Sequence, residues 1–288
     1  MFAKSKGNAN SFRKLVMENT FTFKLHNTEF FGQYWKPQIT EAVIVLVHGM
    51  GEYMYRYEES VIPYLIKNKF AVLAFDQFGH GKTSGKRGHC PSYEALLESV
   101  DFAIEKAEKV FPEKPIFLYG HSLGGNLVIN YALRKNHKLE GIIATSPFLR
   151  LAFNPPKWKV AFGKLLLKIS PSLTMPSELE VDAISRDKTE VTKYINDPLI
   201  HDKVSPMFVF PVIEAGEWAI ENANKLQIPI LILHGTSDRI IDYRGSEAFC
   251  DRTKIASLKL FSDGYHELHH DTCKEEFMKT ILNWLNKM

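Results

Sequence analysis

Cysteine is scarce. Three occur in 288 residues (Cys90, Cys250 and Cys273), an odd number with no C-x-x-C spacing, which argues against a disulfide framework and for a reducing compartment. Long apolar runs are also missing: Ala42–Val47 and Phe70–Phe75 are among the longest, far below the ~18 residues needed to span a bilayer. Charge is nearly balanced, 36 basic against 33 acidic residues for a net +3, too little to point to nucleic acid. The segment 1–14, MFAKSKGNANSFRK, is polar and basic with no apolar h-region, so no secretory signal is expected and a cytoplasmic protein is. The histidines lack H-E-x-x-H spacing and the cysteines lack paired C-x-x-C, so no metal site is expected. Neither G-x-G-x-x-G nor G-x-x-x-x-G-K-[ST] occurs, so no nucleotide cofactor is expected either.

What is present is an ordinary globular composition, 45% hydrophobic and 24% charged. A chain of this length buries about 75% of its unfolded surface and needs no staples. Two alternating segments, 20–25 and 29–35, flank His26-Asn27 and read as a hairpin, an antiparallel start. Short continuous apolar runs follow at Ala42–Val47, Phe70–Phe75, 116–119 and Gly141–Thr145, the pattern of parallel strands buried on both faces. Between them, Tyr93–Val110 carries apolar residues at spacings of three and four, a helix. Alternation stops near 148 and resumes with strands at 228–233 and 258–261 and a helix at 275–286. The reading is α/β: a mostly parallel, helix-covered sheet. Core residues 1–148 and 227–288 enclose a helical, Phe-, Trp- and Leu-rich insertion at 149–226.

The sharpest motif is Gly120-His121-Ser122-Leu123-Gly124, between the run 116–119 and the helical stretch Leu123–Arg134. A G-x-S-x-G at a strand-to-helix junction is a nucleophile elbow, in which glycines allow a turn so tight that the serine hydroxyl stands clear. A serine nucleophile needs a base, and the base an orienting acid. Asp238 follows one late strand and His266 the next. Parallel strands bring their C-terminal ends to one edge, where Ser122, Asp238 and His266 can converge, in the chain order nucleophile, acid, histidine. His269 and His270 are rival bases, read as solvated surface near the last helix; Asp242 and Asp263 are rival acids. The oxyanion needs two preorganised donors. The backbone N–H of Leu123 is one. Met50, in the glycine-bearing loop His48-Gly49-Met50-Gly51 after Ala42–Val47, is the best candidate for the other.

With these residues in view, the chain resembles the monoacylglycerol lipase/lysophospholipase group of α/β-hydrolases. The resemblance rests on GHSLGG (120–125), HGMGEY with RY (48–57), FDQFGHGKTSG (75–85), NDPLIH (196–201), HGTSDRI (234–240) and DGYHEL (263–268), and runs from about Asn19 to the C-terminus. It implies the α/β-hydrolase fold with a helical cap at 149–226. It also implies Ser122 as nucleophile, His266 as base and acid, Asp238 as its orienter, and Met50 and Leu123 as oxyanion amides. No cofactor is implied, and the substrate would be a small acyl ester. His80, in the GHG turn, takes no catalytic role by resemblance and reads as structural.

In the insertion, Trp158, Ala161, Phe162, Leu165, Leu166 and Ile169 fall on one helix face, with Lys157, Lys164 and Lys168 elsewhere. The favoured expectation is that this stripe packs on the sheet domain and lines an acyl pocket. The alternative is a transient contact with an anionic membrane surface. Met207-Phe208-Val209-Phe210 reads as pocket wall or cap core. The same triad would also serve a short-chain esterase, a thioesterase, or a peptidase in which Glu178, Glu180 or Glu214 holds the amino terminus. A non-catalytic ligand receptor on this fold is the reading from a different class.

Overall fold

The computed structural model describes residues 16–288. Segment 1–14, and the expectation about a secretory signal that rests on it, lie outside the described residues. Eight strands form one sheet: β1 (Val16–Leu25), β2 (Thr28–Pro37), β3 (Ala42–Val47), β4 (Phe70–Phe75), β5 (Ile116–His121), β6 (Gly141–Thr145), β9 (Ile230–Gly235) and β10 (Ala256–Phe261). Their order is β1-β2-β4-β3-β5-β6-β9-β10. From β4 to β10 every pairing is parallel; β2 joins β4, and β1 joins β2, antiparallel. The first hairpin turns through His26 and Asn27, both at positive φ (47° and 59°), as the two-residue turn matching strand twist requires.

The continuous apolar strands are explained by two cores. In β3, Val43, Val45 and Val47 face a cluster with α2 (Tyr93–Val110) and α3 (Leu123–Arg134), while Ala42, Ile44 and Leu46 face α1 (Val61–Lys67) and α8 (Lys274–Leu285). With period-two alternation, a strand covered on both sides must be apolar at every position. The chain runs from β3 outward to β4, then returns to place β5 on the other flank of β3. That reversal opens a crevice beyond the C-terminal ends of β3 and β5. The loop 48–52 and the turn at Ser122 both sit there.

Between β6 and β9 the described residues add no strand to this sheet. They form α4 (Lys157–Ile169), α5 (Lys188–Asn196), α6 (Pro206–Glu221) and a two-residue pair, β7 (Met175–Pro176) with β8 (Lys203–Val204). One helix, α7 (Tyr243–Cys250), lies between β9 and β10. Sequence reading assigns α6 to the insertion, yet its Phe208, Val212, Ala219 and Ile220 pack in the core shared with α2 and α3. Buried amides fasten it: Asn126 Nδ2 donates to Val212 O (3.1 Å) and Asn130 Nδ2 to Ala215 O (3.2 Å).

The α4 stripe departs from expectation. Trp158, Phe162, Leu165 and Ile169 are 50–68% exposed, while Gly163 and Leu166 are buried. At about 100° per residue, the face seated on α6 lies a quarter-turn from the apolar stripe. Gly163 decides this: the Phe210 ring occupies the space its Cβ would take. Lys157, Lys164 and Lys168 flank the stripe on its other side and are exposed. Within Met207–Phe210, only Phe208 is fully buried; the other three residues are half-buried. No helix among the described residues is long and apolar enough to cross a membrane.

Candidate active site

Ser122, between β5 and α3, takes φ 52° and ψ −111°. A non-glycine residue is strained there, and the strain persists only where the surroundings over-determine it. Here its N–H donates to Thr145 O (2.9 Å), and its carbonyl accepts from Asn126 N–H (3.0 Å) and Phe148 N–H (2.9 Å). Glycines make the room: a Cβ on Gly120 would strike the Gly124 carbonyl, and one on Gly124 the Val47 carbonyl. A serine preceding a helix ordinarily caps it through its side chain. Ser122 makes no such bond, so its hydroxyl is not spent on the helix.

Asp238 lies in the loop after β9 and is buried. Oδ1 accepts from Ile240 N–H (2.8 Å) and Ile241 N–H (3.0 Å). Oδ2 accepts from His266 Nδ1 (2.7 Å) and His234 Nε2 (3.2 Å). His234 Nε2 also faces the Ile241 carbonyl at 3.2 Å, and a carbonyl can only accept, so that nitrogen carries the proton. Burial alone would raise the Asp238 carboxyl, but the two imidazoles override it and hold it well below the usual carboxylate range. Burial alone would lower His266, yet the Asp238 charge prevails and leaves the imidazole above its ordinary value. With Nδ1–H turned to Asp238, Nε2 is the basic nitrogen. The His266 ring lies 4.8 Å from the ring of His121, the residue next to Ser122, and its carbonyl accepts from Ser146 Oγ at 2.7 Å.

The loop after β3 crosses the serine: a Cβ on Gly49 would sit 3.4 Å from Ser122 Cβ. Gly49 N–H donates to Glu52 Oε1 (2.6 Å), Gly51 N–H to His80 Nε2 (2.9 Å), and Gly51 O accepts from His201 N–H (3.0 Å). The half-buried Met50 between them has an N–H with no partner among the described residues. Leu123 is buried at the start of α3, where N–H groups lack helical acceptors.

Behind the site, Arg56 holds Glu267 with two bonds (2.6 and 2.8 Å) and Glu52 with one (2.8 Å), all three side chains being nearly inaccessible. Glu52 also accepts from Tyr57 OH (2.7 Å), and the Arg56 guanidinium stacks 4.8 Å from the Tyr194 ring of α5. Sequence reasoning gave this pair of carboxylates no role. The i, i+4 spacing of Glu52 and Arg56 was the available signal.

The rival bases need correction. His269 and His270 are buried, not solvated. The His269 ring stacks on Tyr57 (4.8 Å) and abuts His121 (4.9 Å), and neither nitrogen has a partner. Burial drives its pKa well below the ordinary value. His270 Nδ1 lies 3.0 Å from Glu267 Oε2. The sequence could not show that Tyr57 and His121 close over the His269 ring. Glu267, His269 and His270 offer three ligand atoms within 4.8 Å of one another. The Arg56 guanidinium, bound to the same carboxylate and 3.3 Å from His270 Nδ1, puts a fixed positive charge where a metal ion would need to be. Of the rival acids, Asp242 caps α7 through Arg244 N–H (3.0 Å) and Asp263 is exposed in a turn. Neither contacts His266. Glu178 and Glu180 are exposed and paired with Lys159 and Arg239, and Glu214 is exposed on α6.

Residues 38–273 match the family model described as serine aminopeptidase, S33. The chain belongs to this family. Within it, the chain is a member of the monoacylglycerol lipase group of α/β-hydrolases. It is 32% identical over 263 residues to the monoglyceride lipase of Rattus norvegicus, covering 89% of this chain and 85% of that one. The crystal structure of Paleococcus ferrophilus monoacylglycerol lipase superposes with a TM-score of 0.80 at 35% identity, over 94% of this chain and 98% of that one. An uncharacterized abhydrolase domain-containing protein of Dictyostelium discoideum is 36% identical over 258 residues, 88% of this chain; the chain spans only 27% of that protein's length.

Two outcomes test this geometry. A base role for His266 requires the neutral ring, so kcat/KM is expected to fall as pH drops through its raised pKa, with an acid limb above 6.5. In the same pH series, Asp238→Asn lowers kcat by about 10⁴; a limb at or below 6.5 contradicts the Asp238–His266 pairing. His269→Phe removes two unpartnered buried nitrogens, so urea denaturation should show unchanged stability or a gain of up to about 2 kcal/mol, with kcat/KM within about threefold. A tenfold loss would show that the ring's polarity is in use.

Proposed function

We propose that the chain is a serine ester hydrolase that cleaves the acyl ester of monoacylglycerols or lysophospholipids through an acyl-enzyme. The observation that carries this reading is a strained serine, unused as a helix cap, beside a buried Asp238–His266 pair. Ser122 Oγ attacks the ester carbonyl as His266 Nε2 takes its proton. The Met50 and Leu123 N–H groups receive the oxyanion, and Asp238 stabilises the imidazolium. The intermediate collapses, the alcohol leaves with the proton from His266, and water then releases the fatty acid by the same steps in reverse. Strain of this kind persisting at Ser122 favours an enzyme over a ligand receptor.

The peptidase reading is weaker. It needs an acidic group inside the site to hold an amino terminus, whereas Glu178, Glu180 and Glu214 are exposed. The exposed face of α4 supports a peripheral contact with a lipid surface. Trp158, Phe162, Leu165 and Ile169 form an apolar patch of the kind that marks an interaction site. The flanking lysines suit anionic headgroups. Three free cysteines, one buried and two half-buried, support a cytoplasmic location.

Hydrolysis of 1-monoacylglycerols of rising acyl length, with Ser122→Ala as blank, is expected to give a Ser122-dependent rate peaking at medium or long chains. Activity confined to acetyl and butyryl esters would make the protein a short-chain esterase. Cosedimentation with anionic vesicles should fall several-fold in Trp158→Glu/Ile169→Glu, while hydrolysis of a dissolved short-chain ester stays unchanged. Equal vesicle binding by both proteins would remove the membrane contact.

A further inference from the structure

We propose that His80 is a positioning residue for the oxyanion hole, acting by accepting the Gly51 N–H on Nε2. This rests on the reading of Met50 N–H as an oxyanion donor. The loop's hydrogen bonds divide so that Met50 is the one residue left free. Gly49 N–H is taken by Glu52 and Gly49 O by His48 Nδ1 (2.7 Å), while Gly51 N–H is taken by His80 and Gly51 O by His201 N–H. Gly49 O shares its peptide plane with Met50 N–H, and Gly51 N–H shares its plane with Met50 O, so the bonds to His48 and His80 fix the planes on either side of Met50 and with them the direction of its N–H.

The His80 tautomer follows from its partners. A backbone N–H can only donate, so Nε2 facing Gly51 N–H must be a lone pair. Nδ1, 2.8 Å from Phe78 O, must then carry the proton. The surroundings keep the ring neutral. It is fully buried, His48 and His201 lie 5.3 and 4.8 Å away, and Arg87 opposes added positive charge. Phe208 of α6 closes the remaining side at 5.7 Å. The cap segment joins the arrangement, since His201 donates from Nε2 to Gly79 O (2.8 Å) in the turn that carries His80. Space is tight as well: a Cβ on Gly51, which has φ 79°, would lie 2.6 Å from His201 O.

The test compares His80→Phe, which keeps a ring but no acceptor, with His80→Gln, whose Oε1 falls near the position of Nε2. Two quantities are read: kcat and KM on a monoacylglycerol, and the rate of Ser122 phosphonylation by an alkyl fluorophosphonate, whose P=O oxygen enters the oxyanion hole. Ser122→Ala is the blank. His80→Phe is expected to lower kcat and the phosphonylation rate by about ten- to a hundredfold with KM within about twofold, and His80→Gln to recover most of the loss. Equal losses in the two variants, or a change confined to KM, overturn the role of His80 and leave the Ser122 reading standing. A wild-type protein that resists phosphonylation overturns both. Should His80→Phe fail to fold, the wild type decides through the nitrogen–nitrogen scalar coupling across Gly51 N–H···Nε2 in ¹⁵N spectra. Its presence supports the anchor, and its absence overturns it.

Discussion

One guanidinium ties the crevice together. Arg56 reaches Glu52, which holds the loop after β3, and Glu267, which follows His266. It therefore fixes the distance between the histidine and the amides on the other side of the serine. Two carboxylates around one cation leave an excess negative charge in a dry place. Burial pushes Glu52 above the usual carboxylate range, whereas in Glu267 the two bonds from Arg56 overcome burial and hold it well below that range. Breaking such a pair from one side strands a buried charge, at a cost of about 3–5 kcal/mol. Because Arg56 also stacks on Tyr194, α5 shares the same support.

Much of the architecture was legible because both-sided burial leaves a plain mark. Ala42–Val47 and Phe70–Phe75 are strands at the expected residues, and Tyr93–Val110 is a helix at the expected residues. Boundaries slipped where local chemistry intervenes. The strand read at 228–233 begins at Ile230 because Pro229 has no N–H to pair, and β5 runs on through Gly120 and His121 to the elbow itself. Asp238 and His266, placed together by strand order alone, are in fact hydrogen-bonded.

Illegible features share one cause: burial decided by residues distant in sequence. His269 lies under Tyr57 and His121, which no local pattern links to it. In α4 the apolar stripe was correctly seen, but Gly163 and Phe210 chose which side of the helix would seat. The stretch between β6 and β9 consequently has unlike parts. In it α6 is bound to α3 by buried amides, whereas α4 rests on α6 and turns its apolar face outward.

The placement of the crevice residues along the chain has a consequence for how the protein matures. The serine, the loop after β3 and Arg56 lie in the first half, while Asp238, His266 and Glu267 arrive with β9 and β10; Arg56 and Glu267 are 211 positions apart. Contacts so distant close late, after the entropy of a long loop has been overcome, and during synthesis the N-terminal portion emerges first. Until the last strand docks, the Asp238–His266 pair is missing from the crevice and Arg56 lacks its second carboxylate. Strand order thus leaves the crevice without its late half until the sheet is complete.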